Sequence, residues 1–161
     1  MSESIKYEDS VRLLLDQFPD LGPLYEVEQR WWGPEESPPP YIVYESFVHP
    51  LLALTLGPLK SDVDWVEDFR RRYGPSADTL VESLGHPEPA ASFLARFFDF
   101  CERMVSFGDD ETANLIGIAV CEWLAGYPAL REKAEAFMKP ATLKSYWESL
   151  GVYRGTEPKA E

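Results

Sequence analysis

The stretch from Pro89 to Gly126 constrains the fold more than any other part of the chain. It contains two apolar segments, ASFLARFFDFCERMVSF and ETANLIGIAVCEWLAG, joined by a short acidic turn. In the first segment apolar residues recur three and four positions apart, which predicts a helix with one wide apolar stripe. The second segment is apolar almost all round, as in helices that are buried on most sides. We expect the other elements to pack on this helix pair.

The same periodicity predicts helices on both sides of this pair. Before it, helices are expected over residues 9–18 and 21–32, followed by the proline-rich connector 34–40. After it, Pro128 and Pro140 each fit the first turn of a helix, and Gly151 is expected to end the last one. These elements would cover most of the chain outside its centre.

The segment 41–57 is harder to interpret because it holds Pro50. We predict a helix from about residue 43 that is broken or kinked near Pro50, with His49 pushed towards an extended conformation. A short strand at Ile42 and Val43 stays open as an alternative. His49 has no partner motif for a ligand or base, so a structural role is expected.

Two further helices are predicted between this segment and the central pair. Ser61 and Asp64 have the spacing of a capping box at the start of the first, and Asp78 is expected to cap the second. The arginine run 70–72 falls in the last turn of the first of these helices, where cations complement the helix dipole.

Glycine positions agree with this division. Seven of the ten glycines fall where a predicted helix ends, namely Gly33, Gly57, Gly74, Gly85, Gly108, Gly126 and Gly151. Glycine suits such positions because it adopts the left-handed conformation without strain. The sequence therefore predicts an all-α fold, with one domain over 1–153 and a flexible polar tail at 154–161. Eight or nine helices are expected in antiparallel pairs, as a compact bundle or a short HEAT-like array.

Composition limits the functional classes. The chain has 161 residues and a net charge of −13, which disfavours nucleic acid and favours a basic partner by steering their encounter. It contains no apolar run long enough to span a membrane, and its polar start does not resemble a leader peptide. We expect a cytoplasmic protein that is a monomer or a weak dimer. Its two cysteines are interpreted as reduced thiols in the core.

No catalytic or metal-binding motif is recognisable. The sequence has no phosphate loop, no HExxH, no CxxC and no GxSxG, so we expect neither an enzyme nor a cofactor. Glu102 and Glu122 lie at or near apolar helix faces, and buried acids are used in acid–base chemistry. An enzyme that uses either of them is the least favoured of our alternatives. Asp109 is expected to cap the second central helix, with Asp110 and Glu111 in its first turn.

Four segments resemble a family of small bacterial all-helical proteins. They are FPDLGPLYEVEQRWWG, PPYIVYESFVHPLLAL, FFDFCERMVSFGDDETANLIGIAVCEWLAG and KAEAFMKPATLKSYWESL. Such proteins are similar to the immunity proteins that accompany bacterial toxins. The resemblance implies an all-helical fold and a toxin-binding role, and residues 58–86 look longer than the family pattern.

We therefore expect a non-catalytic, immunity or antitoxin-like protein that neutralises a basic toxin through an acidic surface. A helical adaptor for another cytoplasmic protein is the alternative. Interfaces favour aromatic anchors with a charged rim. The expected partner-binding residues are Trp31, Trp32, Glu35, Glu36, Asp62, Asp64, Glu67, Asp68, Asp109, Asp110 and Glu111.

Overall fold

The computed structural model describes residues 4–57 and 64–156, the last five as backbone alone. Its α-helices are α1 Ser10–Gln17, α2 Gly22–Trp32, α3 Pro40–Leu56, α4 Trp65–Tyr73, α5 Pro75–Leu84, α6 Pro87–Phe107, α7 Asp110–Ile116, α8 Trp123–Ala125, α9 Pro128–Glu135 and α10 Pro140–Thr156. Short 3₁₀ turns, Tyr7–Asp9 and Pro19–Leu21, lead into α1 and α2.

A π-helical segment, Gly117–Glu122, joins α7 to α8 without a break. The described residues therefore form nine separate helices and no strand, which confirms the all-α prediction. Within the same ranges, no helix is long and apolar enough to cross a membrane.

Helix α3 lies at the centre of the molecule. It packs against α1, α4, α5, α6, α9 and the π segment, which come from both halves of the chain. In a linear array each unit contacts only its neighbours, so this arrangement is that of a compact bundle. The buried apolar side chains of α3 face every direction, and they are Val43, Tyr44, Phe47, Val48, Leu51, Leu52, Ala53 and Leu56.

The predicted break at Pro50 was wrong. Helix α3 runs through Pro50, His49 is helical, and Ile42 and Val43 belong to the helix and not to a strand. An internal proline costs roughly 3 kcal/mol. Each fully buried large apolar side chain contributes about 1.5–3 kcal/mol, and α3 buries several on all sides. Burial therefore outweighs the lost backbone hydrogen bond.

Most helix ends lie where the glycine positions predict them. However, few of these glycines have the positive φ that favours glycine over other residues. Only Gly33 and Gly74, with φ of 87° and 71°, have positive φ among the described glycines, and their ψ of 174° and −143° lies outside the left-handed helical region. Gly151 was wrongly assigned as an end, since α10 continues to Thr156.

Two predicted caps also differ from the structure. Asp64 caps α4 by accepting a hydrogen bond from the Glu67 amide at 2.9 Å, and Ser61 lies outside the described residues. Helix α5 begins at Pro75, upstream of Asp78, because proline is well suited to a first helical position. Asp78 instead pairs with Arg70, with 2.9 Å between the carboxylate oxygen and Nε.

The turn between α6 and α7 is held by the N-terminal segment. The Ile5 amide donates to the Phe107 carbonyl at 2.7 Å, and the Asp109 amide donates to the Ile5 carbonyl at 2.8 Å. Gly108 lies between these bonds, and a β-carbon there would meet the Met104 carbonyl oxygen and would lie 2.6 Å from Thr112 Cγ2. The tight turn therefore requires glycine for space.

We predict that Gly108→Ala lowers the free energy of unfolding by about 2 kcal/mol, since overpacked sites cost roughly 1–3 kcal/mol. The matched control is Gly22→Ala, because Gly22 is helical and has open space around it. That change should raise stability by roughly 0.4–1 kcal/mol. Chemical denaturation of both variants measures the difference, and equal stabilities would contradict the close approach at Gly108.

Candidate binding surface

The expected partner-binding residues lie in three parts of the chain. Near the end of α2, Trp31 is 56% exposed, Trp32 is half-buried, and Glu35 and Glu36 are exposed in the connector. At the start of α7, Asp110 and Glu111 are exposed and Asp109 is half-buried. The acids of α4, Asp64, Glu67 and Asp68, are also exposed, whereas Asp62 lies outside the described residues.

The charges of α4 are largely balanced within the helix. Arg71 lies 3.3 Å from Asp68 and 3.9 Å from Glu67, in pairs one helical turn apart. Asp64 is engaged in capping. Exposed pairs of this kind contribute little to stability, but they reduce the negative potential that a partner meets. The α4 acids therefore form a weaker attractive surface than their number suggests.

Sequence reasoning missed a buried carboxylate beside the two tryptophans. Glu28 is fully buried, and both of its oxygens accept from Arg72 Nη2, at 3.0 and 3.1 Å. The Tyr73 hydroxyl donates to it at 2.9 Å and Trp32 Nε1 at 3.3 Å. Burial and the Glu28 carboxylate raise the pKa of Tyr73. These bonds join α2 to α4, so Arg72 does more than complement a helix dipole.

The position of Glu28 in the sequence carried a signal for this network. Glu28 follows the buried Leu24 by four residues, so it continues the buried stripe of α2. A carboxylate there needs donors, because an unpaired buried charge is costly. Arg72, in the arginine run of α4, supplies such a donor.

Trp31 packs against two residues of this network, Arg72 and Tyr73. The Arg72 guanidinium carbon lies 4.3 Å from the centre of the Trp31 ring, and the Tyr73 ring is stacked 6.4 Å away. Cation–π contacts of this kind contribute about 0.5–1 kcal/mol at exposed sites. Trp31 is therefore a rigid exposed aromatic ring.

The largest cavity described is an open groove beside the α6–α7 turn. We call it the π groove, because Gly117, Ile118 and Glu122 of the π segment form one wall and α10 forms the other. Its volume is about 650 Å³. Ile118 is 39% exposed here, which corrects the expectation that this helix is buried on nearly all sides. Trp147 of α10, 52% exposed, is the residue before Glu148 at the rim.

Charge at the π groove is mostly negative. Asp110, Glu122 and Glu148 line it together with a single cation, Lys144. None of the three carboxylates lies within ion-pair distance of a cation in the described part of the chain. They therefore attract a cationic partner, and the charge of Lys144 offsets only part of theirs.

His49 supports the π segment from inside the molecule. Its Nε2 lies 2.6 Å from the carbonyl oxygen of Ala119, in the middle of the π segment. Its ring stacks on Trp123 with centroids 4.3 Å apart. Burial lowers the pKa of His49 to about 4, although the bond to Ala119 opposes the shift. His49 is therefore a neutral donor near pH 7, and its structural role holds.

The two glutamates considered for acid–base chemistry have different surroundings. Glu102 accepts from the Ala141 and Thr142 amides, at 3.1 and 2.9 Å, and from the Thr142 hydroxyl at 3.0 Å. It therefore caps the N-terminus of α10 from a neighbouring helix. Glu122 is exposed at the π groove. The two carboxylates thus have separate surroundings and separate roles.

The cysteines and acids form no reactive or metal-binding cluster in the ranges described. Burial raises the pKa of Cys101, and raises that of Cys121 to about 12, so both remain thiols at neutral pH. Residues 4–57 and 64–156 contain no group of three His, Cys, Asp or Glu side chains that could hold a metal ion.

Comparisons of this chain with protein-family models, with curated proteins and with solved structures found no match.

We predict that acid weakens the fold through His49. Folded His49 takes up a proton near pH 4, whereas its ordinary pKa is 6.5. The unfolded state thus binds the proton first as pH falls, so this contribution is complete above about pH 6.5 and is lost between there and pH 4. The loss is about 3 kcal/mol at pH 4, from roughly 1.4 kcal/mol per pH unit.

The measurement is the free energy of unfolding between pH 7 and pH 4 for wild type, His49→Gln and His86→Gln. The amide introduced by His49→Gln keeps an N–H donor but does not titrate. Between pH 7 and pH 4 the free energy of unfolding of this variant should therefore fall by about 3 kcal/mol less than that of wild type. His86 is exposed, so its variant should follow wild type. Parallel curves for all three proteins would exclude a buried neutral His49.

Proposed function

We propose that this protein is a non-catalytic inhibitor that binds and neutralises a basic protein, in the manner of bacterial immunity or antitoxin proteins. It works in the cytoplasm as a monomer or weak dimer. The observation that carries the proposal is the π groove, which is lined by the exposed Ile118 and by three carboxylates that form no ion pair with the residues described. Such a surface attracts a basic partner and so speeds their encounter, and Ile118 offers that partner an apolar contact.

The surface has the composition of an interface. Aromatic residues with few rotatable bonds are the usual anchors of protein interfaces. Trp147 lies on the helix that forms one wall of the π groove, and Trp31 supplies a second, rigid aromatic surface at the end of α2. Acids around an apolar centre also disfavour acidic partners, which is a source of specificity.

Catalysis is not part of the proposal. The buried His49, Cys101 and Cys121 are held in their neutral forms, and Glu102 is occupied by capping α10. General acid–base or nucleophilic chemistry needs a group with a suitable pKa within reach of a substrate. The exposed acids of the π groove suit electrostatic recognition better.

The test begins with a tagged full-length chain, used to capture its partner from extracts of its host. We expect a basic polypeptide at stoichiometric amounts, whose growth-inhibiting activity is suppressed by co-expression of this chain. The association rate of the purified pair is then measured at several salt concentrations. A partner without any inhibited activity would move the function to the adaptor class.

The groove is tested with two charge-matched variants. Glu122→Lys with Glu148→Lys reverses two acids of the π groove, and Glu82→Lys with Glu132→Lys reverses two exposed acids elsewhere. Each reversal adds two charges, so both variants have a net charge of −9 in place of −13. We expect the groove variant to associate about tenfold more slowly and with a weaker salt dependence, within the range of electrostatic steering. Equal slowing by both variants would show that only net charge matters and would contradict the groove.

A further inference from the structure

A second cavity lies on the side of α6 that carries Arg96. It has a volume of about 220 Å³ and opens between the end of α1, the turn Pro19–Leu21, and helices α3, α5 and α6. Its apolar walls are buried side chains that reach the core at Leu51, and they are Phe18, Leu21, Leu51, Leu80, Leu84 and Phe93. An apolar cavity of about 150 Å³ is enough to bind benzene, so the volume here is sufficient for an apolar group of that size.

The rim of this cavity has a fixed cation. Arg96 donates from Nη2 to the Gln17 carbonyl at 2.8 Å, and its guanidinium carbon lies 5.0 Å from the centre of the Phe18 ring. These two contacts orient the guanidinium but use only one of its five N–H donors. The remaining donors suit a carboxylate, which guanidinium groups bind in a bidentate manner.

The same rim has an anion. Asp20 lines the cavity from the turn Pro19–Leu21, and the hydroxyl-bearing Ser83 and Ser92 complete the polar part of the rim. Asp20 and Arg96 form no ion pair with each other or with another described residue. A ligand with a single charge would meet one like charge at this rim. A ligand that carries both charges would meet two complementary ones.

We propose that this cavity binds a free apolar α-amino acid. The carboxylate of the ligand lies on Arg96, its ammonium group on Asp20, and its side chain among Leu80, Leu84 and Phe93. The volume accommodates a side chain of the size of leucine or phenylalanine. This site lies apart from the π groove, shares none of its lining residues and does not depend on the function proposed above.

The experiment is a calorimetric titration of the full-length chain with L-phenylalanine and with L-leucine. Three probes each lack one feature: 3-phenylpropionate has no ammonium group, phenethylamine has no carboxylate, and glycine has no apolar side chain. We expect each to bind at least tenfold more weakly than L-phenylalanine, which corresponds to about 1.4 kcal/mol. Equal binding of 3-phenylpropionate or of phenethylamine, or no binding of either amino acid, would overturn the proposal.

Variants locate the site. Asp20→Asn and Arg96→Gln should each weaken binding of L-phenylalanine at least tenfold. The matched control is Arg103→Gln, because Arg103 lies on the same helix, donates to Gln17 Oε1 at 2.8 Å and lies over Phe100, yet does not line this cavity. Its affinity should equal that of wild type. Ser83→Phe, which narrows the mouth from an exposed position, should also abolish binding while leaving the thermal unfolding midpoint unchanged. Retained affinity in Asp20→Asn, Arg96→Gln and Ser83→Phe would place the ligand elsewhere and overturn the assignment.

Discussion

The hydrogen bond between the His49 imidazole and the Ala119 carbonyl links helix α3, at the centre of the molecule, to the π segment. His49 belongs to the central helix α3, and Ala119 belongs to the π segment that forms a wall of the π groove. A buried polar pair has to be satisfied, because an unpaired donor or acceptor costs about 1–3 kcal/mol. Segments of π-helix are rare and occur often at functional sites. The core of this protein thus supports one wall of the π groove directly.

Charged side chains are distributed unevenly over the surface of the molecule. The arginines of α4 are balanced, Arg70 by Asp78, Arg71 by Glu67 and Asp68, and Arg72 by the buried Glu28. The carboxylates of the π groove have no such partner among the described residues. Acidic side chains and the exposed Ile118 therefore lie together at the π groove. This combination of charge and apolar contact supports the proposed role in binding a basic protein.

Periodicity and glycine positions were enough to predict an all-α fold and most helix ends, because an apolar stripe and a helix end are local properties of the chain. The cap at Asp109 was predicted for the same reason, and its hydrogen bonds with Thr112 lower its pKa. The helical path through Pro50, the burial of Glu28 and the exposure of Ile118 depend on neighbours that are distant in sequence. For the same reason, the π groove could not be predicted beyond its one acidic turn.

Hydrogen–deuterium exchange of the full-length chain, with and without its captured partner, shows whether a basic protein binds in the π groove. Binding excludes water and slows local opening, so exchange reports which backbone is covered. Binding in the π groove should protect residues 110–122 and 141–149, the two walls of the groove, from exchange. Protection confined to other helices, with both walls unchanged, would contradict it.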